Sequence, residues 1–194
     1  MNLKFTVLAG ALALACGAVA IAPSATASPV TSPSGTITFQ GRVVANSCVI
    51  TVTGGTASSA GGAASGLVTL PTVYTTDLTA VGAVAGSTPF SISLTGCDTS
   101  FTNTQTLWNA GANLSASGGR LKNPSGSNVD VQLLNASNAA MDLSKGTAAA
   151  QNSPTVNFSS GSATLNYSAQ YYATAVSTTA GAVNTSVQFT MIYQ

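Results

Sequence analysis

The sequence predicts an all-β protein, a β-sandwich, and three observations carry that prediction. Helix signals are nearly absent along the chain. Short stretches of apolar–polar alternation recur between Gly, Ser, Asn and Pro clusters, the pattern of half-buried strands joined by turns. Once an export signal is set aside, a single pair of cysteines remains, which suits a small domain stapled by one disulfide in an oxidising compartment.

The export signal comes first. Lys4 supplies a positive start, residues 5–15 are apolar or small, and Ala25-Thr26-Ala27 forms a small-x-small cleavage site before Ser28. Ala20-Ile21-Ala22 is a second site without a polar approach. The apolar stretch is too short for a membrane span. Residues 1–27 therefore read as a signal peptide, and cleavage leaves 194 − 27 = 167 residues, one domain's worth. Cys16 falls in the removed part, so Cys48 and Cys97 are read as a structural disulfide. The rival reading, a lipid-anchored Cys16 after Ala13-Leu14-Ala15, puts Leu14 in the wrong place for that signal.

Charge narrows the function classes. The mature chain sets Arg42, Arg120, Lys122 and Lys145 against Asp77, Asp98, Asp130 and Asp142, a formal charge of zero with no Glu and no His. Such a chain lacks the basic cluster that nucleic acid or an anionic lipid surface requires. Few charges and no net repulsion favour self-association, which suits a protein that works as a polymer.

The strands follow in order. Residues 28–35 are Pro- and Ser-rich and read as extended. Ile37, Phe39, Gly41 and Val43 share one parity, whereas Cys48, Ile50 and Val52 share a face after a shift, which predicts a bulge or a hand-over between two roles. Residues 54–66 are a Gly/Ala/Ser run read as a flexible loop; its paired glycines lack the Gly-Lys-Ser/Thr of a phosphate cradle. Residues 67–70 predict a short strand ended by Pro71. Phe90, Ile92 and Leu94 alternate with Ser91, Ser93 and Thr95, and Val129, Val131 and Leu133 form another strand, with Asn138 in a turn. Leu165, Tyr167, Ala169 and Tyr171 alternate next, then a loop around Gly181 leads to Val187, Phe189, Met191 and Tyr193. That last strand runs to Gln194, whereas chain ends fray unless tied down.

Catalytic chemistry finds no support. Without His there is no imidazole base for a Ser or Cys nucleophile, and without Glu a carboxylate pair must come from scattered aspartates such as Asp77 and Asp98. The cysteines are committed to each other and no Asp-rich calcium-loop spacing occurs, so neither a metal nor a cofactor is expected. Five Asn-x-Ser triplets, at Asn113, Asn135, Asn157, Asn166 and Asn184, are chance matches in a chain this rich in those residues.

Several segments together resemble a known family. Gly35-Thr36-Ile37-Thr38-Phe39-Gln40-Gly41-Arg42-Val43-Val44, with Cys48 following, is similar to the N-terminal region of type 1-like pilus major subunits of the chaperone–usher class. Phe90-Ser91-Ile92-Ser93-Leu94-Thr95-Gly96-Cys97-Asp98 resembles their second-cysteine strand, and Asn128-Val129-Asp130-Val131-Gln132-Leu133-Leu134 a central strand. Tyr171-Tyr172-Ala173-Thr174, Gly181-Ala182-Val183-Asn184 and the ending Phe189-Thr190-Met191-Ile192-Tyr193-Gln194 are similar to the family's C-terminal signature. Residues 54–66 do not match.

The resemblance implies an incomplete immunoglobulin-like β-sandwich, completed by a donor strand from a neighbouring subunit. Residues 28–44 would be the donor arm and 45–194 the pilin domain. Ile37, Phe39 and Val43 would enter a groove at every second residue, with Gly35 and Gly41 where backbones approach closely. Val187, Phe189, Met191 and Tyr193 would wall the acceptor groove, and the Gln194 carboxylate would be gripped by a periplasmic chaperone. The implied partners are copies of this chain, that chaperone and an outer-membrane usher; the implied location is a surface fimbria serving adhesion. On pattern alone Ile37 and Phe39 also fit the first strand of a complete sandwich. The alternatives are a minor or tip adhesin and an exported carbohydrate-binding module.

Overall fold

The computed structural model describes residues 48–53, 55, 57–58 and 64–194. The signal peptide, the arm and the parity break after Val43 lie outside these residues. Nine strands are present among them: β1 (Val49–Val52), β2 (Ala57–Ser58), β3 (Val84–Thr95), β4 (Asn103–Asn109), β5 (Leu121–Lys122), β6 (Val129–Asn135), β7 (Val156–Asn157), β8 (Ala163–Ala173) and β9 (Gln188–Tyr193). Helical structure is limited to two 3-10 turns, Thr75–Asp77 and Gly111–Asn113, and no helix among the described residues is long and apolar enough to cross a membrane.

All pairings are antiparallel and fall into two sheets. The larger has the order β2-β1-β3-β8-β6-β5, the smaller β7-β4-β9. The centre of the larger sheet is the long β3–β8 pair, in register from Leu94↔Ala163 to Thr88↔Ala169. Alternation decides which face is buried. Phe90, Ile92 and Leu94 on β3 and Leu165, Tyr167 and Ala169 on β8 turn inward, while Ser91, Asn166 and Ser168 face out. The inward set meets Trp108 of β4, which stands edge-on to Tyr167 at 5.2 Å and to Phe90 at 6.1 Å.

β6 is buried on both faces, because its outer face is covered too. There Asp130 accepts from Arg120 Nε at 3.2 Å and from Ser115 Oγ at 2.6 Å, and the Arg120 guanidinium lies 3.8 Å over the Tyr172 ring. A paired and capped guanidinium is the form in which a charge tolerates burial.

The cysteines form the expected disulfide, Cys48–Cys97, which ties the start of β1 to the end of β3. Two expectations change, one of a loop and one of a strand. Part of the Gly/Ala/Ser run is structured, since β2 pairs with β1 at Thr51↔Ala57. Residues 67–70 form no strand. A strand needs a hydrogen-bonded neighbour, and the space beside this segment is a cleft.

Candidate functional site

The smaller sheet has unequal edges. On one side of β4, β7 pairs at Asn103↔Asn157 and Thr104↔Val156. Further along, the buried Gln151 side chain takes the place of a strand: its Oε1 accepts from Trp108 N at 2.9 Å and its Nε2 donates to Trp108 O at 2.7 Å. That edge is closed. On the other side lies β9, and among the described residues β9 pairs with β4 alone. No described residue pairs with its outer edge.

Beside that edge runs a cleft of about 840 Å³ that reaches into the core. An apolar cavity of roughly 150 Å³ holds one benzene ring, so this cleft has room for several side chains. Its floor includes Ile50 and Val52 of β1 and Phe90 and Ile92 of β3. One lip is residues 64–70, where Val68 and Leu70 pack against the core and Leu67 is 72 % exposed. The other lip is β9 with the residues before it, from Val183 onward.

The wall residues expected from sequence separate into two groups. Val187, Phe189 and Met191 line the cleft and are half-buried against the core. Phe189 sits opposite Trp108 and Met191 opposite Thr106. Tyr193 instead stacks on Phe101 with ring centroids 5.0 Å apart, beside Phe158, at the sheet's end. The main chain of Gln194 is engaged within the fold: one oxygen of its carboxylate accepts from Thr102 N, Asn103 N and Thr102 Oγ1, and its N–H donates to Asn103 O. Gly35, Ile37, Phe39, Gly41 and Val43 lie outside the described residues.

Sequence reading passed over β4. Its inward residues are Thr104, Thr106 and Trp108, and the two threonines are fully buried. Thr104 Oγ1 donates to Ile192 O at 3.0 Å, and Thr106 Oγ1 lies 3.6 Å from Met191 Sδ. Buried hydroxyls with partners behave as core, yet their polarity masks the period.

Among the described residues the remaining polar groups stay apart. Among the described residues no cluster of three His, Cys, Asp or Glu is present. Asp77 accepts from Tyr74 N and Asp98 from Ser100 N, each within its own turn. Burial pushes the Tyr167, Tyr171 and Tyr193 hydroxyls above the ordinary tyrosine range. A raised acid favours the folded state while it stays protonated. Its stability contribution is therefore complete below the unfolded tyrosine value of about 10 and is lost as pH rises through the folded value. With no histidine to titrate near neutrality, thermal stability is expected to stay level through the neutral range and, on the alkaline side, to fall above about pH 10. Thermal unfolding followed by circular dichroism across that range checks it, and a drop near neutral pH would contradict the assignment.

Three comparisons bear on this geometry. The family model FimA (type-1 fimbrial protein, A) matches residues 70–194. The major fimbrial subunit SMF-1 of Stenotrophomonas maltophilia is 41% identical over 166 residues, covering 82% of this chain and 92% of that protein. The F17 fimbrial protein of Escherichia coli is 37% identical over 181 residues, covering 90% of this chain and 95% of that protein. Among solved structures, the P pilus rod subunit PapA superposes with a TM-score of 0.53 at 21% identity, over 82% of this chain and all (100%) of that one, and shares the fold.

Proposed function

Because this chain belongs to the type-1 fimbrial protein family, we infer that it is a structural subunit of a bacterial surface fimbria, with a structural rather than a catalytic role. Copies of the chain form the polymer. We further propose the joint: the arm at residues 28–44 of one subunit fills the cleft beside β9 of the next.

The single observation that carries this joint is the β9 edge, unpaired among the described residues, above an apolar cleft. An exposed edge beside an open core is an aggregation hazard, and proteins that keep one cover it. A strand added there gains main-chain hydrogen bonds from the edge and burial for alternate side chains. The arm offers Ile37, Phe39 and Val43 at that period, each worth roughly 1.5–3 kcal/mol when fully buried. Gly41, between Phe39 and Val43, lets the arm backbone approach the floor. Before polymerisation the same edge needs a temporary cover, which is the role we assign to a periplasmic chaperone, with an usher at the outer membrane. Removal of residues 1–27 on export frees the arm.

A photocrosslinking amino acid at position 39 in fibres tests the joint. Crosslinks between copies, mapping to the Val187–Met191 wall or to Ile50 and Val52, are expected. Crosslinks confined to single chains would overturn it.

A further inference from the structure

The acceptor wall continues past the last ladder pair. β4 backs β9 as far as Asn109↔Gln188 and then turns into the 3-10 segment Gly111–Asn113. Upstream of Gln188 the chain nevertheless keeps the alternation of a strand. Val183, Thr185 and Val187 are half-buried, whereas Ala182, Asn184 and Ser186 are exposed, and the cleft runs along the stretch.

Among the described residues no strand backs this stretch. Two side-chain amides do. Asn113 Nδ2 donates to Ser186 O at 2.9 Å and Ser186 Oγ at 3.0 Å. Asn123 Nδ2 donates to Ala182 O at 3.0 Å, and Asn123 Oδ1 accepts from Asn184 N at 3.0 Å. Contact with the carbonyl before a residue and the N–H after it is the contact one residue of a parallel strand makes. Close backbone packing supports the same stretch: a Cβ on Gly181 would fall 2.9 Å from the Gly126 carbonyl carbon.

The parity is continuous along the whole wall. The bonded pair Gln194–Asn103 fixes the even-numbered residues of β9 as those turned toward β4. Residues 182, 184 and 186 are turned to Asn123 and Asn113 in the same parity. The N–H and C=O groups of residues 183, 185, 187, 189, 191 and 193 therefore all face the open side.

We propose that Asn113 and Asn123 are positioning residues that stand in for a strand, extending the acceptor edge from β9 alone to the whole of residues 182–193. This rests on the donor-arm reading of the cleft. The extended edge suits an arm of 17 residues (28–44) better than the six residues of β9.

Residue-level hydrogen exchange on assembled fibres tests it. In native fibres the amides of Val183, Thr185 and Val187 are expected to be protected along with those of β9. In Asn113→Ala, which removes the side-chain hydrogen bonds to Ser186, protection at Thr185 and Val187 is expected to fall roughly 5-fold, the worth of one such bond, with β3 and β8 unchanged. Asn123→Ala, which also removes that side chain's bonds to Ser125 and Ser127, should lower protection at Val183 together with the 123–127 turn. Free exchange at Val183, Thr185 and Val187 in native fibres overturns the proposal, as does a uniform loss of protection across the sandwich in Asn113→Ala. Fibres formed by a Phe39→Asp chain would instead remove the donor-arm reading beneath it.

Discussion

A Phe39→Asp chain is expected to assemble no fibres while keeping its disulfide and its folded sandwich. The substitution removes an apolar side chain worth roughly 2–3 kcal/mol on burial. It also forces a carboxylate toward a cleft floored by Ile50, Val52, Phe90 and Ile92. Desolvating that charge without a partner adds at least about 3 kcal/mol more. A combined loss of roughly 5 kcal/mol weakens each joint by three to four orders of magnitude, and a polymer multiplies that defect by its number of joints. The alternation supplies the control. Gln40 lies between the inward positions, so Gln40→Asp adds the same charge on the outer face and should leave fibres intact. Electron microscopy of the cell surface and the ladder of detergent-resistant multimers are the readouts. Fibres from Phe39→Asp, or equal loss from both variants, would remove the arm from the joint.

The legible parts of this fold were those in which apolar side chains alternate with small polar ones. Phe90, Ile92 and Leu94, then Leu165, Tyr167 and Ala169, then Phe189 and Met191, are each readable from the sequence and each pack where alternation puts them. β4 was not readable, because two of its three inward residues are threonines whose hydroxyls find their partners far along the chain, at Ile192 O and Met191 Sδ. β2, β5 and β7 are two residues long each, too short to show a period. Residues 67–70 have the composition of a strand and no ladder, since strand state belongs to a pair and not to a segment.

The cleft lies beyond sequence pattern for a related reason. Alternation says which face of β9 is apolar, but an open edge is a property of neighbour order, visible only once β7-β4-β9 is known. Gln151 illustrates the same limit. In sequence it is a loop glutamine between Ala150 and Asn152; in space its amide closes the opposite edge of β4 at Trp108.

Replacing both Cys48 and Cys97 by alanine is expected to destabilise the subunit by about 3–4 kcal/mol, close to the chain-entropy value for a loop of this length. The damage should be local before it is global. Cys97 stays anchored without the bridge, because its N–H donates to Gly161 O at 3.0 Å and β3 is held along its length by β8. Among the described residues no such main-chain bond holds Cys48, and the four residues of β1 pair only with β3 and with the two residues of β2. Loss of the bridge thus frees β1, and β1 carries Ile50 and Val52 into the cleft floor. The joint should fail along with the strand, so the variant loses fibres at a temperature where the β3–β8 pair is still folded. Hydrogen exchange separates the two stages: the amides of β1 should lose protection before those of Ile92 and Leu165, and guanidinium unfolding gives the total. Equal loss in β1 and β3, or a change below about 1 kcal/mol, would mean that packing and not the bridge holds β1 against the core.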